Sequence, residues 1–272
     1  MIARSVSGFF ALARWRNALM AALGVLVGAW WSAGVVDGGV AYASLAAIAL
    51  TVAANIWNDV ADIEIDRVAH SERPLPNGAV SVGVASAVAW TAAVVAPLLA
   101  WIARPALGAL SVLVLVLMYA YNTALKCRGV IGNITVAILA SLPFLYGAWA
   151  VGRPRAGLLL TCIAAPLHFA REMSKDLDDA GADASTRQTV PVAFGQRVAR
   201  VMLVVSLVLF VAALVPFGVQ QPWFSMAIAP TVAISVAAAW IALRGQRGAP
   251  ALFKVAMLCA MAAFVLTSAK SR

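Results

Sequence analysis

Apolar stretches of about 20 residues recur along the whole chain, and short polar segments separate them. Nine stretches can be delimited, at residues 17–35, 40–60, 82–103, 106–124, 130–150, 156–175, 198–217, 223–243 and 250–268. Each is close to the length that crosses a hydrocarbon core of ~30 Å as an α-helix. They lack the alternation of apolar and polar residues that is typical of outer-membrane strands. The pattern predicts an all-α polytopic membrane protein with nine transmembrane helices.

Composition supports this prediction. The chain has 272 residues, of which 63% are hydrophobic and 11% charged, whereas about a quarter of the residues of a soluble domain are charged. Because the nine segments leave little chain for a soluble part, we expect a single transmembrane domain over residues 1–272. The first segment follows Arg14 and Arg16 and lacks a small-residue cleavage site, so we expect a retained helix rather than a secretory signal.

The net charge of +9 is explained by topology. With the N-terminus in the cytoplasm, fifteen of the twenty Lys and Arg residues lie on the inner side: Arg4, Arg14, Arg16, Arg67, Arg73, Lys126, Arg128, Arg171, Lys175, Arg187, Arg197, Arg200, Arg244, Arg247 and Lys254. The five others, Arg104, Arg153, Arg155, Lys270 and Arg272, lie outside. This asymmetry follows the positive-inside rule, so a nucleic-acid partner is not needed to explain the charge. We expect a multi-pass cell-membrane protein with a cytoplasmic N-terminus.

Acidic residues are clustered in two segments on the same inner side. Eight of the eleven lie in the first acidic motif, residues 58–66, or in the second acidic motif, residues 176–183. Carboxylates contribute little to membrane orientation, so topology does not explain them. Because clustered like charges are destabilising without a counter-charge, both motifs indicate a metal ion.

The spacing within each motif places carboxylates on one helix face. Asn58, Asp62 and Asp66 are spaced i, i+4, i+8, and Asp59 lies three residues before Asp62. In the second motif Asp176, Asp179 and Asp183 are spaced i, i+3, i+7, whereas Asp178 points elsewhere. Both motifs end an even-numbered segment, so they emerge on one side of the membrane. Two carboxylate stripes are therefore expected to face each other.

The ligand chemistry favours magnesium and a phosphorylated substrate. Mg²⁺ prefers oxygen ligands and is usually held by one or two carboxylates together with substrate phosphates. Cations for the remaining phosphate charge lie on the same side: Arg67, Arg73, Lys126, Arg171, Lys175 and Arg187. A polar cytoplasmic mouth above an apolar bundle suits an amphiphile with a diphosphate head and a hydrocarbon tail.

These segments resemble the UbiA-type intramembrane prenyltransferases. The first motif with its following loop resembles the first family signature: Asn58, Asp59, Asp62, Asp66 and Arg67, then Arg73-Pro74-Leu75-Pro76-Asn77-Gly78. The run from Arg171 through Lys175 to Asp183 is similar to the second signature. Tyr121 to Lys126 resembles the segment that follows the fourth family helix. Arg14-Trp15-Arg16-Asn17 occupies the place of an arginine–proline pair and asparagine in relatives, with Trp15 replacing the proline.

The resemblance implies a helical bundle around a central cavity, open laterally to lipid, and magnesium-dependent transfer of a polyprenyl group from its diphosphate. One Mg²⁺ would be held by Asn58, Asp62 and Asp66, and a second by Asp179 and Asp183. Asp59 and Asp176 would support these ligands. Arg67, Arg73 and Lys126 would balance the diphosphate, and Lys126 with Tyr121 would help it leave. Further substrate contacts would come from Arg14, Asn17, Arg171, Lys175 and Arg187.

The residue pattern of the second motif is most similar to that of the geranylgeranylglycerol-phosphate geranylgeranyltransferase branch. Geranylgeranylglyceryl phosphate is therefore the expected acceptor in ether-lipid synthesis, with Arg14, Arg16 and Arg171 as cations for its phosphate. An aromatic acceptor of quinone biosynthesis, which needs fewer cations, is the alternative. A transporter or ion-pathway protein is the alternative of another class, but it predicts charge at mid-membrane depth. The interiors of the third, fifth, seventh, eighth and ninth segments are apolar.

Other polar and aromatic residues receive simpler interpretations. His168 is expected to be a hydrogen-bonded histidine of the bundle and His70 a solvated loop residue. Arg244, Arg247 and Lys254 are interpreted as topology determinants near lipid head groups. Aromatic faces can stabilise a prenyl carbocation, but packing is the expected role of each of the candidates Trp57, Tyr119, Phe144, Tyr146 and Phe169.

Overall fold

The computed structural model of the chain describes residues 2–126, 128–183 and 188–270, and this part contains no strand. The helices are α1 (Ile2–Ala13), α2 (Trp15–Ala33), α3 (Gly38–Ala61), α4 (Ile63–Ala69), α5 (Val82–Ala103), α6 (Pro105–Ala120), α7 (Val130–Ala150), α8 (Pro154–Asp183), α9 (Val190–Phe194), α10 (Gln196–Gln220), α11 (Pro222–Leu243) and α12 (Ala249–Lys270). A π-helical segment, Tyr121–Leu125, continues α6. The all-α prediction is confirmed.

A long helix overlaps each of the nine apolar segments within the described residues. Seven helices are long and apolar enough to cross a membrane, or eight if the bent pair Ser7–Ala13 and Trp15–Ala33 forms one span. Helix α8 is not among them, and charged residues extend through its C-terminal half. The chain is therefore a multi-pass helical protein, with up to eight spans by length and composition in its described part.

Three local breaks were not predicted. Arg14 adopts a left-handed conformation with φ of 45°, and the helix axis bends by 48° between α1 and α2. Asp62 separates α3 from α4 with φ of −93° and ψ of 1°, so the first acidic motif is not one continuous helix. The third break is the π-helical segment Tyr121–Leu125, which widens the backbone before Lys126. All three breaks occur beside polar residues of the candidate site.

The helices form two packed groups that share α2 and α7. One apolar cluster joins α2, α3, α5, α6 and α7, and another joins α8, α10, α11 and α12. Val27 of α2 and Phe144 of α7 belong to the second cluster, so these two helices connect the groups. Large apolar side chains such as Leu98 and Val208 are each 60% exposed on the outer faces. Such extensive exposed apolar surface is expected where a protein faces lipid rather than water.

Helices α2 and α7 cross at close range because glycines face the partner backbone. A Cβ at Gly28 would overlap the carbonyl of Phe144, and one at Gly147 would overlap the carbonyl of Val25. Gly24 approaches the ring of Pro143, where an added Cβ would lie 2.8 Å from the proline Cβ. Small residues at such crossings are typical of membrane helix pairs. This crossing fixes the wall of the cavity described below.

Gly147→Ala is expected to destabilise the bundle, because the new methyl group would overlap backbone atoms of α2. Unlike a side chain, the backbone cannot avoid the overlap by changing its rotamer. Overpacking costs about 1–3 kcal/mol, and we expect a clear fall in the midpoint of thermal unfolding in detergent. Gly83→Ala is the matched control, since a Cβ there meets nothing within 4 Å. Equal midpoints for the two variants would contradict the close crossing.

The two acidic motifs lie at the same end of the bundle. Asn58, near the end of α3, contacts Lys126, which precedes α7, and Asn133 in the first turns of α7 contacts Asp176 of α8. At the opposite end, Arg104 Nε donates to the carbonyl oxygen of Ala150 at 2.9 Å. The C-terminal ends of α3 and α8 therefore share one end, as the spacing of the segments predicts.

Candidate active site

A cavity of about 390 Å³ opens at the end of the bundle that holds the acidic motifs. Its polar lining comes from α2, α3, the π-helical segment, α8 and α12, with Arg14 preceding α2: Arg14, Asn17, Thr51, Asn55, Asn58, Tyr121, Asn122, His168, Arg171, Glu172, Lys175 and Lys254. Its apolar lining includes Met20, Met118, Val136, Leu139, Phe144, Met257 and Met261. The cavity therefore has the two kinds of surface that an amphiphilic substrate needs.

The aspartates of the first acidic motif are buried, and each is paired with a cation. Asp59, Asp62 and Asp66 are 7%, 6% and 3% exposed. Arg14 Nη2 lies 2.5 Å from Asp59 Oδ1, Arg73 Nη1 lies 2.7 Å from Asp66 Oδ2, and Lys126 pairs with Asp62. Buried carboxylates require such neutralisation, since an unpaired buried charge is strongly unfavourable.

Lys126 directly follows the π-helical segment and contacts the first motif. Its Nζ donates to Asn58 Oδ1 at 2.8 Å and to Asp62 Oδ2. Asn122, one turn earlier, donates to the carbonyl oxygens of Met118 at 3.0 Å and of Ala54 at 3.5 Å, which fastens the segment to α3. Because π-helical turns occur frequently at functional sites, this arrangement agrees with a role for Lys126 in the site.

Arg67 and Arg73 have different surroundings, although both follow the first motif. Arg67 forms an exposed i, i+3 ion pair with Glu64 at 2.8 Å and does not line the cavity. Arg73 belongs to the loop whose Leu75 is buried, and it holds Asp66. Of the two, only Arg73 contacts one of the buried aspartates of the motif.

The second acidic motif is only partly described. Asp176 is buried and its Oδ2 accepts from Asn133 Nδ2 at 2.7 Å, whereas Asp179 is exposed. Arg171 pairs with Glu172, and Lys175 is an exposed residue at the cavity rim. Arg187 and the side chain of Asp183 lie outside the described residues.

Asp178 belongs to a different contact. Its Oδ2 accepts from the backbone N–H of Gly248 at 3.2 Å, which connects the end of α8 to the loop before α12. Burial raises the pKa of the Asp178 carboxyl above its ordinary value, and the hydrogen bond from Gly248 opposes this rise. Asp178 therefore points away from its neighbours in the motif, as its place in the spacing predicts.

Magnesium fits the donor set by chemistry. Carboxylate oxygens from the first motif and the amide oxygen of Asn58 are the hard ligands that Mg²⁺ prefers. Among the described residues, however, no three His, Cys, Asp or Glu side chains converge on one point. Cations of the protein neutralise the first motif instead, and Lys126 in particular takes the place next to Asp62 and Asn58. Asn58 of the first motif and Lys175, the residue before the second motif, line the same cavity.

Sequence reasoning missed several residues of the cavity. Lys254 was interpreted as a topology determinant, but it lines the cavity and donates to Asn17 Oδ1 at 3.0 Å. His168 and Glu172 also line the cavity. The available signal was the spacing of Lys254, Met257 and Met261 at i, i+3, i+7, which places all three on one face of α12.

The structure places the aromatic candidates in different surroundings. Phe144 and Tyr121 are the aromatic rings in the described lining of the cavity. Trp57 and Tyr119 pack edge-to-face on each other, which is the packing role expected for them. Of the five aromatic candidates, Phe144 is therefore the one that lines the cavity, and Tyr121 of the π-helical segment lines it as well.

The fold and the site define a class of protein: a multi-pass helical membrane protein with an amphiphilic cavity at the end of the bundle that holds two acidic motifs. Residues 19–266 match the model of the UbiA prenyltransferase family. The chain belongs to this family and is a prenyltransferase. This membership favours the enzyme over the transporter among the functions considered from the sequence.

Curated relatives cover nearly the whole chain. The digeranylgeranylglyceryl phosphate synthase of Methanopyrus kandleri is 34% identical over 94% of this chain and 97% of its own length. The enzyme of the same name from Halobacterium salinarum is 36% identical over 95% and 96%. A solved UbiA homolog from Archaeoglobus fulgidus, bound to DMAPP and Mg²⁺, superposes with a TM-score of 0.70 at 17% identity, covering 96% of this chain and 99% of that one. This last similarity concerns the fold.

Proposed function

We propose that the protein transfers a geranylgeranyl group from its diphosphate to geranylgeranylglyceryl phosphate, with Mg²⁺ as cofactor. The product of this reaction would be digeranylgeranylglyceryl phosphate. The relatives that share about a third of this protein's residues are named as synthases of this compound. The solved relative with bound DMAPP and Mg²⁺ supports a prenyl diphosphate donor and the metal. Two Mg²⁺ ions, held by residues of the two acidic motifs, are part of the proposal.

One observation carries the choice of acceptor. The described lining of the cavity has four cations, Arg14, Arg171, Lys175 and Lys254, but Glu172 is its one carboxylate. The donor diphosphate would be balanced at the first motif by Mg²⁺, Lys126 and Arg73. Arg14 and Arg171 already pair with carboxylates, whereas Lys175 and Lys254 have no ion pair among the described residues. These two lysines suit an acceptor that has its own phosphate, and an aromatic acceptor would leave them unused.

Charge development explains the roles of the residues. When the allylic carbon–oxygen bond breaks, the diphosphate leaves with the electron pair and the prenyl carbon becomes positive. Mg²⁺, when bound, would supply Lewis-acid stabilisation of the leaving diphosphate. Lys126 adds a fixed positive charge there, and such preorganised electrostatic stabilisation is usually the largest catalytic contribution. Phe144 and Tyr121 present aromatic faces to the carbon.

The second half of the reaction forms an ether bond. The acceptor hydroxyl oxygen attacks the prenyl carbon, and its proton must go to a base. Glu172 and His168 are the groups of the described cavity lining that can accept this proton. Water must be kept from the carbocation, and the methionines and Phe144 provide an apolar wall for this purpose.

The proposed placement in the membrane follows the charge distribution. We place all nine long helices across the cell membrane, with the N-terminus and the mouth of the cavity in the cytoplasm. The helix ends that carry Arg14, Lys126, Arg171 and Lys254 are the basic ones, as the positive-inside rule requires. A cysteine-accessibility experiment on intact cells, with single cysteines at exposed Arg128 and Arg153, would test this orientation.

Product analysis tests the function. Purified protein with Mg²⁺ and geranylgeranyl diphosphate would be incubated with geranylgeranylglyceryl phosphate or with an aromatic quinone precursor, and the products identified by mass spectrometry. We expect the digeranylgeranyl ether with the first acceptor, no product with the second, and no product when EDTA replaces Mg²⁺. Prenylation of the aromatic acceptor alone would contradict the proposal.

A further inference from the structure

Helix α12 presents a lysine and two methionines to the cavity. Lys254, Met257 and Met261 all line it, and their spacing of i, i+3, i+7 places them along one face of the helix. At a rise of about 1.5 Å per residue, Lys254 and Met261 are separated by about 10 Å along the axis. One helix therefore provides a positive charge near the end of the bundle and an apolar surface deeper inside.

Lys254 differs from the other cations of the site in its partner. Arg14 and Arg171 each contact a carboxylate, and Lys175 is exposed. Lys254 is half-buried, and its hydrogen-bond partner is the neutral amide oxygen of Asn17 at 3.0 Å. No ion pair to it is found within the described part of the chain. A half-buried ammonium without an ion pair favours an anionic ligand, because an anion supplies a direct counter-charge.

We propose that Lys254 binds the phosphate group of the acceptor directly and that Asn17 positions the lysine. This inference rests on the proposed function, since it assigns one residue to one substrate of that reaction. The phosphate would lie between α2 and α12, and no metal would be needed there. The lysine is a specificity-determining residue, because it distinguishes a phosphorylated acceptor from a neutral one.

The contacts of Lys254 favour the acceptor over the donor. The carboxylates of the first motif repel a diphosphate unless a metal bridges them, and the aspartates of this motif are contacted by Arg14, Lys126 and Arg73. Lys254 contacts α2 through Asn17 and has no ion pair with either motif among the described residues. It can therefore hold a phosphate monoester while the donor occupies the motifs.

The apolar part of α12 accounts for the remainder of the acceptor. Met257 and Met261 also line a smaller apolar cavity next to the first, together with Phe144 and His168. The four residues form the wall between the two cavities. An acceptor with its phosphate at Lys254 would place its isoprenoid chain on the methionines, which adapt readily to irregular apolar surfaces.

Steady-state kinetics with Lys254→Met would test the proposal. We expect the KM for geranylgeranylglyceryl phosphate to rise about 10- to 100-fold, the range expected for one lost charge-assisted hydrogen bond. The KM for geranylgeranyl diphosphate should stay within about twofold. Lys254→Arg should restore most of the acceptor affinity. Arg244→Met is the matched control, since it removes a charge from the same end but from a side chain that stacks on Trp240 outside the cavity.

A binding measurement separates this proposal from the proposed function. Geranylgeranylglyceryl phosphate and unphosphorylated geranylgeranylglycerol would be titrated into the wild type and Lys254→Met without Mg²⁺ or donor. The proposal requires the wild type to prefer the phosphorylated lipid and the variant to lose this preference. Absence of the preference in the wild type, or its persistence in Lys254→Met, would overturn the role of Lys254. Failure of the proposed function would instead appear as binding without ether product.

A purely structural role of Lys254 predicts a different outcome. If the lysine only fastened α12 to α2 through Asn17, Lys254→Met would lower the thermal midpoint and the rate with both substrates alike. A selective rise of the acceptor KM, with an unchanged thermal midpoint, is the signature of phosphate binding. A uniform loss would contradict the proposal.

Discussion

Asp62→Ala is expected to reduce prenyl transfer by about 10³-fold, the upper end of what one electrostatic group contributes to a transition state. Asp62 is a buried carboxylate between Asn58 and Lys126, and we propose it as a Mg²⁺ ligand. Its removal takes away a metal ligand and leaves the lysine without its counter-charge. The measurement is the initial rate of ether formation at saturating Mg²⁺ with the purified variant.

Glu64→Ala is the control within the same motif. Glu64 is exposed and contacts only Arg67 in the salt-bridge network of the described residues, so its loss should change the rate less than about twofold, as for most surface substitutions. Asp62→Asn keeps the shape of the side chain and tests whether the loss of activity is due to misfolding. It should be as inactive as Asp62→Ala. If Asp62→Asn retained the wild-type rate, Asp62 would not be a metal ligand.

The sequence was sufficient to predict the helical segments because their ends are chemically marked. The segments at 82–103 and 130–150 coincide with Val82–Ala103 and Val130–Ala150. Ser81 caps the first of these helices and Arg104 follows it, and Gly129 directly precedes the second. Such helix-end residues act on adjacent residues of the chain, so they can be recognised from the sequence alone.

The inward faces of the helices could not be predicted from hydropathy. In a membrane the lipid is as apolar as the protein core, so a spanning helix is apolar all round and lacks a distinct hydrophobic face. Residue size was the better signal. The buried residues of α5 are all alanines, Ala85, Ala89, Ala93, Ala96 and Ala100, and their spacing of three to four residues marks the packed face.

The acidic motifs identified the region of the site but not its internal contacts. Regular spacing predicted one stripe of residues from Asn58 to Asp66, whereas the helix is interrupted at Asp62. In addition, the aspartates pair with three different cations. These cations come from sequence positions up to 64 residues away. Ion pairs between such distant residues depend on the tertiary structure, so they cannot be predicted from helical periodicity, which relates only residues close in sequence.

Lys126→Met is expected to have two opposite effects. Lys126 is a fixed charge for the departing diphosphate, so its loss should lower kcat by about 10²-fold. Lys126 also occupies the place beside Asp62 and Asn58 that a metal would need. Because a competing cation is removed, the Mg²⁺ concentration for half-maximal rate should fall. The measurement is a series of initial rates over a wide range of Mg²⁺ concentration.

The direction of the magnesium effect decides whether the lysine and the metal share the aspartate. If Lys126 only stabilised the fold around Asp62, Lys126→Met would loosen the site and more Mg²⁺ would be required. Arg128→Met is the control: Arg128 is exposed two residues later and does not line the cavity, so its loss changes the general charge without touching Asp62. A higher Mg²⁺ requirement in Lys126→Met, with Arg128→Met unchanged, would show that Lys126 supports the site and does not compete with the metal.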